Sequence, residues 1–169
     1  MWCKHTNYEE ATRIPLLVVA PGVTRPGSHS EALVETVDLY PTLLELAGLP
    51  APDVPQGLDG RSLVPVLRDP SAPFREAALQ VYPRNPGGRK LIGRSVRTAR
   101  YRLVEWKVPG AAPETADLEL YDYEADPAET RNLAGEQPEV VARLRRYLSE
   151  GPDARPQITA AAEARRGQE

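Results

Sequence analysis

The chain has 169 residues, 41% of them apolar, and a formal charge of −3 from 21 basic and 24 acidic side chains. That supports one domain of ordinary size with a modest core, and it excludes wholesale disorder and a dedicated nucleic-acid binder. Eighteen prolines exclude one long coiled coil, a single cysteine excludes an internal disulfide or thiolate zinc cluster, and no apolar run approaches the ~20 residues of a membrane span. The opening places Trp2, Cys3, Lys4 and His5 ahead of Asn7 and Tyr8. It has no apolar leader core, so no signal peptide is expected and the cytoplasm is the default compartment. Taken alone, this stretch is either a fraying terminus or a sequence cut within something larger.

Ile14 to Gly22 is a short continuous apolar run closed by Pro-Gly, which predicts a fully buried strand of a parallel or mixed sheet. A polar loop, Val23 to Ser30, follows. Thr36 to Pro50 predicts a helix, with Leu39, Leu43, Leu46 and Ala47 on one stripe. Thr36 or Asp38 would start it, Pro41 falls in its first turn and Gly48 stands just past its end. Ser62 is expected to cap a short helical stretch through Leu67, interrupted by Pro65. Ala77 to Tyr82 reads as a strand. Ser95 to Arg97 and Tyr101 to Trp106 read as a strand pair, with Tyr101, Leu103 and Glu105 on one face and Arg102, Val104 and Trp106 on the other. Asp117 to Tyr123 alternates in the same way, so an antiparallel meander is predicted. Gln137 to Glu150 predicts an amphipathic helix with Val140, Val141, Leu144, Tyr147 and Leu148 on its stripe. The residues from Pro152 to Glu169 read as a disordered tail. The expected division is 1–69, 70–151 and 152–169: a remnant of a mixed sheet, a small antiparallel subdomain and the tail.

Most chemistry-bearing residues also have plain structural readings. Trp2 and Cys3 suit packing, and His29 suits an exposed loop. No ligand spacing links His5 to His29. Asp38 reads as a helix start and Asp126 as an Asp-Pro turn. Arg94, Arg97, Arg100 and Arg102 read as a solvated basic face paired with glutamates. Lys4 alone reads as a solvated lysine.

The segments taken together resemble the carboxy-terminal part of the sulfatases, an α/β family of the alkaline-phosphatase-like superfamily, with the nearest look to its iduronate-2-sulfatase-like and choline-sulfatase-like branch. Met1 to Gly22 looks like the stretch after the family's Gly-Glu-His-Gly, with its Trp-x-Lys and Ala-Thr-x-x-Pro-Leu. Val34 to Pro50 is similar to the family's Asp-Leu-x-Pro-Thr-Leu helix. Leu58 to Leu67, Arg94 to Trp106 and Glu119 to Ala134 follow in the family's order.

The resemblance implies an enzyme of sulfate ester hydrolysis that uses calcium and a formylglycine made from Cys or Ser in a Cys/Ser-x-Pro-x-Arg motif. Cys3 has His5 and Asn7 where that motif needs Pro and Arg, so it is not that nucleophile. The family's calcium ligands also precede this stretch. What remains is Lys4, implied as the active-site lysine, with His5 and Arg84 as implied substrate contacts. A fixed ammonium in a water-poor pocket stabilises the charge that moves onto the leaving oxygen. Arg84, in Tyr82-Pro83-Arg84 after a strand, can grip an anionic group bidentately. The implied substrate is a sulfated sugar or other small sulfate ester, and the implied partner is an upstream sulfatase chain. The chain by itself is expected to be inactive, with no calcium bound and no formylglycine formed. Two other readings stay open: a truncated non-catalytic fragment acting only by association, and part of a related phosphonate or phosphate monoester hydrolase. Export of the parent enzyme is also open.

Overall fold

The framework is a four-stranded antiparallel sheet in the order β1-β2-β3-β4, formed by Ala77–Arg84, Leu91–Thr98, Tyr101–Lys107 and Asp117–Asp122. The computed structural model describes residues 6–53 and 57–151. The meander predicted from the alternating strands is therefore present, with β1 and β2 longer than their apolar cores suggest.

Register places one apolar row across the sheet. Leu79 lies opposite Val96, Val96 opposite Leu103, and Leu103 opposite Leu120. The last three are fully buried beneath α4 (Pro138–Glu150), whose Val140, Val141, Leu144 and Leu148 pack in the same cluster. Pro138 suits the first turn because the N–H it lacks would have no helical partner there.

The opposite face carries Leu91, Val104 and Trp106, and Tyr8 from the N-terminal segment packs on them. Covering on both sides explains why β3 is buried without alternation from Arg102 to Trp106. The two expected faces of β3 both exist; neither is left to solvent.

The first third follows a different rule. A single helical turn, α1 (Glu9–Thr12), leads into residues 13–20, which form no strand. This corrects the expectation of a buried strand. Leu17 and Val19 are both 89% exposed, and Ile14 is 61% exposed. A strand is held by ladder hydrogen bonds and a covered face, and among the described residues no strand lies beside this run.

The helix expected after Thr36 forms as a 3-10 turn, Thr36–Asp38, continued by α2 (Leu39–Leu46), and Gly48 at φ 65° ends it in the left-handed region. Its leucine stripe is not a core face, however: Leu39 and Leu43 are exposed and Thr42 is the buried residue. In α3 (Val64–Arg68) Pro65 occupies the first turn, where it is tolerated, so it does not interrupt the helix.

Asp38 ties these pieces together. Fully buried, it accepts hydrogen bonds from the Glu35 and Arg61 backbone N–H groups at 2.8 and 2.9 Å and from the Arg75 guanidinium at 2.5 Å. Arg75 also pairs with Glu35, whose other oxygen accepts from the N–H of Leu79 on edge strand β1. The structural role expected of Asp38 is thus met, with a wider reach than a helix start. Among the described residues no helix is long and apolar enough to cross a membrane.

Candidate functional site

Of the three residues singled out for chemistry, Lys4 and His5 lie outside the described residues, as do Trp2 and Cys3. Arg84 is described, and its surroundings connect it to the same stretch. It stands at the end of β1, half-buried, its guanidinium carbon 3.9 Å from the Trp106 ring centroid and 5.5 Å from that of Tyr8. One of its N–H groups donates to Thr6 Oγ1 at 3.1 Å, and the Gln80 side chain on the same strand donates to the Thr6 carbonyl oxygen at 3.1 Å. Stacking fixes the plane of a guanidinium and leaves its edges available for oxyanions.

Residues 6–12 are anchored across this face of the sheet. Asn7 is fully buried against Gly93 and Trp106, and a Cβ on Gly93 would collide with both side chains. That close approach is why position 93 carries glycine. The Asn7 carbonyl oxygen accepts from Arg102 Nη1 at 2.7 Å. Tyr8 meets Tyr121 edge to face with ring centroids 6.0 Å apart. The Asn7 amide, the Ser95 hydroxyl and the Trp106 indole N–H have no hydrogen-bond partner among the described residues. Each such buried group costs about 1–3 kcal/mol unless it is paired.

Glu9 is the second anchor. Arg97 and Arg102 lie directly opposite each other on β2 and β3, a repulsive placement by itself. Glu9 Oε2 resolves it by accepting from both, at 3.1 Å from Arg97 and 2.5 Å from Arg102. Arg102 further donates to Thr12 Oγ1 at 2.9 Å and to the Tyr123 hydroxyl at 2.6 Å, and it pairs with Glu129 at 2.9 Å. Glu129 closes the ring, accepting from the Glu9 backbone N–H at 2.9 Å and from the Tyr123 hydroxyl at 2.5 Å.

The expected solvated arginine face therefore needs correction. Its members are paired with carboxylates, but Arg102 is only 2% exposed, because residues 6–12 lie over it. The turn of Asp126 forms as expected, with the carboxylate accepting from the Thr130 and Arg131 N–H groups. His29 is exposed, its ring 2.5 Å from Glu31.

Burial pushes the Glu9 carboxyl up, but hydrogen bonds from Arg97 and Arg102 and their charges outweigh it and hold it below the ordinary 4.5. A carboxyl lowered by folding contributes stability that is complete above its unfolded value and is lost as pH falls through its folded value. The tie of residues 6–12 to the sheet should thus be unchanged from pH 7 down to the ordinary value of 4.5 and loosen only below it. Amide exchange at Glu9, Ala11 and Thr12 over that range checks this; loosening already at pH 6 would contradict it.

A surface cavity of ≈360 Å³ lies on the α4 side between Arg94, Glu105 and Arg145. Its Arg94 and Arg145 already bind Glu105, and it shares no residue with the face that holds Thr6. A smaller one, ≈120 Å³, is lined by Tyr8, Glu10, Ala128 and Glu129, beside the anchored segment. Among the described residues no three His, Cys, Asp or Glu side chains converge as a metal site requires. The most buried carboxylates, Asp38, Glu105 and Asp122, each face an arginine. This donor set does not fit calcium.

This meander with its covering helix and its anchored leading segment defines a carboxy-terminal sulfatase domain of the α/β, alkaline-phosphatase-like fold. A solved structure described as a complex with its substrate D-glucosamine-2-N,6-O-disulfate superposes with a TM-score of 0.61 at 30% identity, over 77% of this chain and 26% of that one. The family model for the N-sulphoglucosamine sulphohydrolase C-terminal region matches residues 1–152, and the chain belongs to that family. Arylsulfatase K of Xenopus laevis is 34% identical over 148 residues, which are 86% of this chain and 27% of the relative. An N-acetylglucosamine-6-O-sulfatase of Bacteroides thetaiotaomicron is 33% identical over 136 residues, 78% of this chain and 23% of the relative. The chain thus spans a minor part of the length of the relatives it matches.

Sequence reasoning named Arg84 and placed Asn7 in the opening cluster without a role, but it missed Glu9 and Glu129 and gave Arg102 to a solvated face. The signals were present as a charged residue within a strand and as a glutamate three residues after Asp126 in its turn. Nothing local shows that Glu9 meets Arg102, 93 residues away.

Proposed function

We propose that the chain is the carboxy-terminal part of a sulfatase acting on a sulfated sugar, and that Lys4 is its contribution to the reacting centre, with Arg84 and His5 on the substrate side. The observation that carries this reading is the fixing of Thr6 to Arg84 and Gln80. Lys4 stands two residues before Thr6 in the sequence, so the segment fixed to Arg84 and Gln80 is the one that follows it directly. Sulfate ester hydrolysis breaks an S–O bond and leaves negative charge on the departing oxygen. A held ammonium stabilises that charge, while a stacked guanidinium grips a sulfate or carboxylate of the substrate.

The nucleophile, a formylglycine in this family, and the calcium ligands would come from a larger sulfatase portion, joined to or associated with this chain. The exposed Leu17, Val19, Leu39 and Leu43 support such an association, since an apolar surface of this kind is costly in water. The substrate class is supported by the glucosamine disulfate bound in the solved relative and by the N-acetylglucosamine-6-O-sulfatase.

The test is a pair of substitutions in the assembled enzyme, this chain together with the nucleophile-bearing portion, assayed on an aryl sulfate and on a 6-O-sulfated glucosamine. Lys4→Ala should lower kcat by roughly 10²–10³-fold, the scale of removing one charge-stabilising donor. Arg84→Ala should mainly raise KM for the sugar. Wild-type kcat in Lys4→Ala would remove the reading.

A further inference from the structure

We infer that Arg102 and Glu129 are positioning residues for Lys4, forming from two distant parts of the chain the mount that sets where the segment after Lys4 lies on the sheet. This rests on the reading of Lys4 as the residue that stabilises transition-state charge.

Each partner has its own task. Arg102 donates to the Asn7 carbonyl, the Glu9 carboxylate and the Thr12 hydroxyl, so one side chain holds three points of a six-residue stretch. Serving several acceptors at once suits a guanidinium, planar with five donors. Glu129 holds the same stretch through the Glu9 backbone N–H, and meets Arg102 as well.

The backbone of Glu129 adds an independent sign. It has φ 55°, the one non-glycine residue in the left-handed region among those described. For a glutamate this costs about 1 kcal/mol, and a conformation of that kind persists only where its surroundings demand it. The turn that imposes it is anchored by Asp126, and its result is to bring the Glu129 carboxylate to the Glu9 N–H. A turn needed only to connect β4 to α4 would favour glycine there.

The ion pairs of the mount would be more than a stability device, because they hold the segment that follows Lys4 in the sequence. An ammonium acts on a transition state only when its distance is held, and displacement by about 1 Å can cost up to a hundredfold in rate. Lys4 precedes Thr6, Asn7 and Glu9 in the chain, on a segment whose helix α1 ends after one turn.

Two measurements test it. In the 169-residue chain, Glu129→Gln and Arg102→Lys should speed amide exchange at Glu9, Ala11 and Thr12 by about tenfold or more, with protection of β2, β3 and α4 retained. In the assembled enzyme the same variants should lower kcat roughly tenfold to a hundredfold with KM within about twofold. Glu129→Gly relieves the backbone and should still lower kcat. Should Arg102→Lys fail to fold, Glu129→Gln and Thr12→Val carry the test, since each removes contacts at a less buried position. Arg131→Ala, which breaks only an exposed pair with Glu136, should change neither measurement.

Unchanged exchange at Glu9, Ala11 and Thr12 in Glu129→Gln overturns the mount. Faster exchange with unchanged kcat overturns its catalytic role, provided Lys4→Ala is impaired in the same assay. Wild-type kcat in Lys4→Ala instead overturns the reading of Lys4 and the catalytic part of the inference with it, while the exchange comparison still decides whether the mount exists.

Discussion

Asp38→Ala should destabilise the chain by about 3–5 kcal/mol, the range seen when one partner of a buried ion pair is removed. The carboxylate is fully buried and answers two backbone N–H groups and one guanidinium. Alanine would leave the Glu35 and Arg61 N–H groups without their acceptor and Arg75, 8% exposed at its side chain, with Glu35 alone. Relaxation would be limited by Gly60, where the loop backbone lies so close to Val37 that no Cβ fits. Because Arg75 and Glu35 also reach the edge of β1, the loss should extend to the sheet. Asp38→Asn should recover only part of it, since an amide nitrogen would face donors. Urea unfolding measures both. A midpoint for Asp38→Ala within error of the wild type would mean that water replaces the carboxylate at little cost.

The elements with a local cause were legible in the sequence. α4 follows from Val140, Val141, Leu144 and Leu148 at helical spacing, and β3 from alternation through Tyr101 to Trp106. Ile14 to Ala20 was misjudged because an apolar run states a need for burial, and burial is supplied by partners the run does not contain. The same applies to Leu39 and Leu43 on α2, whose helical spacing was correct and whose burial was not. The mount escaped notice for another reason. Glu9 meets Glu129 across 120 positions, and periodicity carries no information at that range. Arg102 also broke an assumption, since arginine within a strand is ordinarily placed at the surface.

Leu103→Ala should cost about 3 kcal/mol, near the middle of the range for a buried leucine. Leu103 is fully buried at the centre of the row that joins Val96 to Leu120 under α4. Strands on both sides fix its backbone, so the cavity left behind cannot collapse far. Leu17→Ala provides the contrast. At 89% exposure it should change the stability of the chain by less than about 0.5 kcal/mol. In the assembled enzyme the order of consequence should change, because Leu17 would then be covered. There Leu17→Ala should weaken association of the two portions by roughly 1–3 kcal/mol, read as about a five- to 150-fold loss of affinity when they are supplied as separate chains. If Leu17→Ala leaves that affinity untouched, the exposed run from Ile14 to Val19 is not the surface through which this chain joins the rest of a sulfatase.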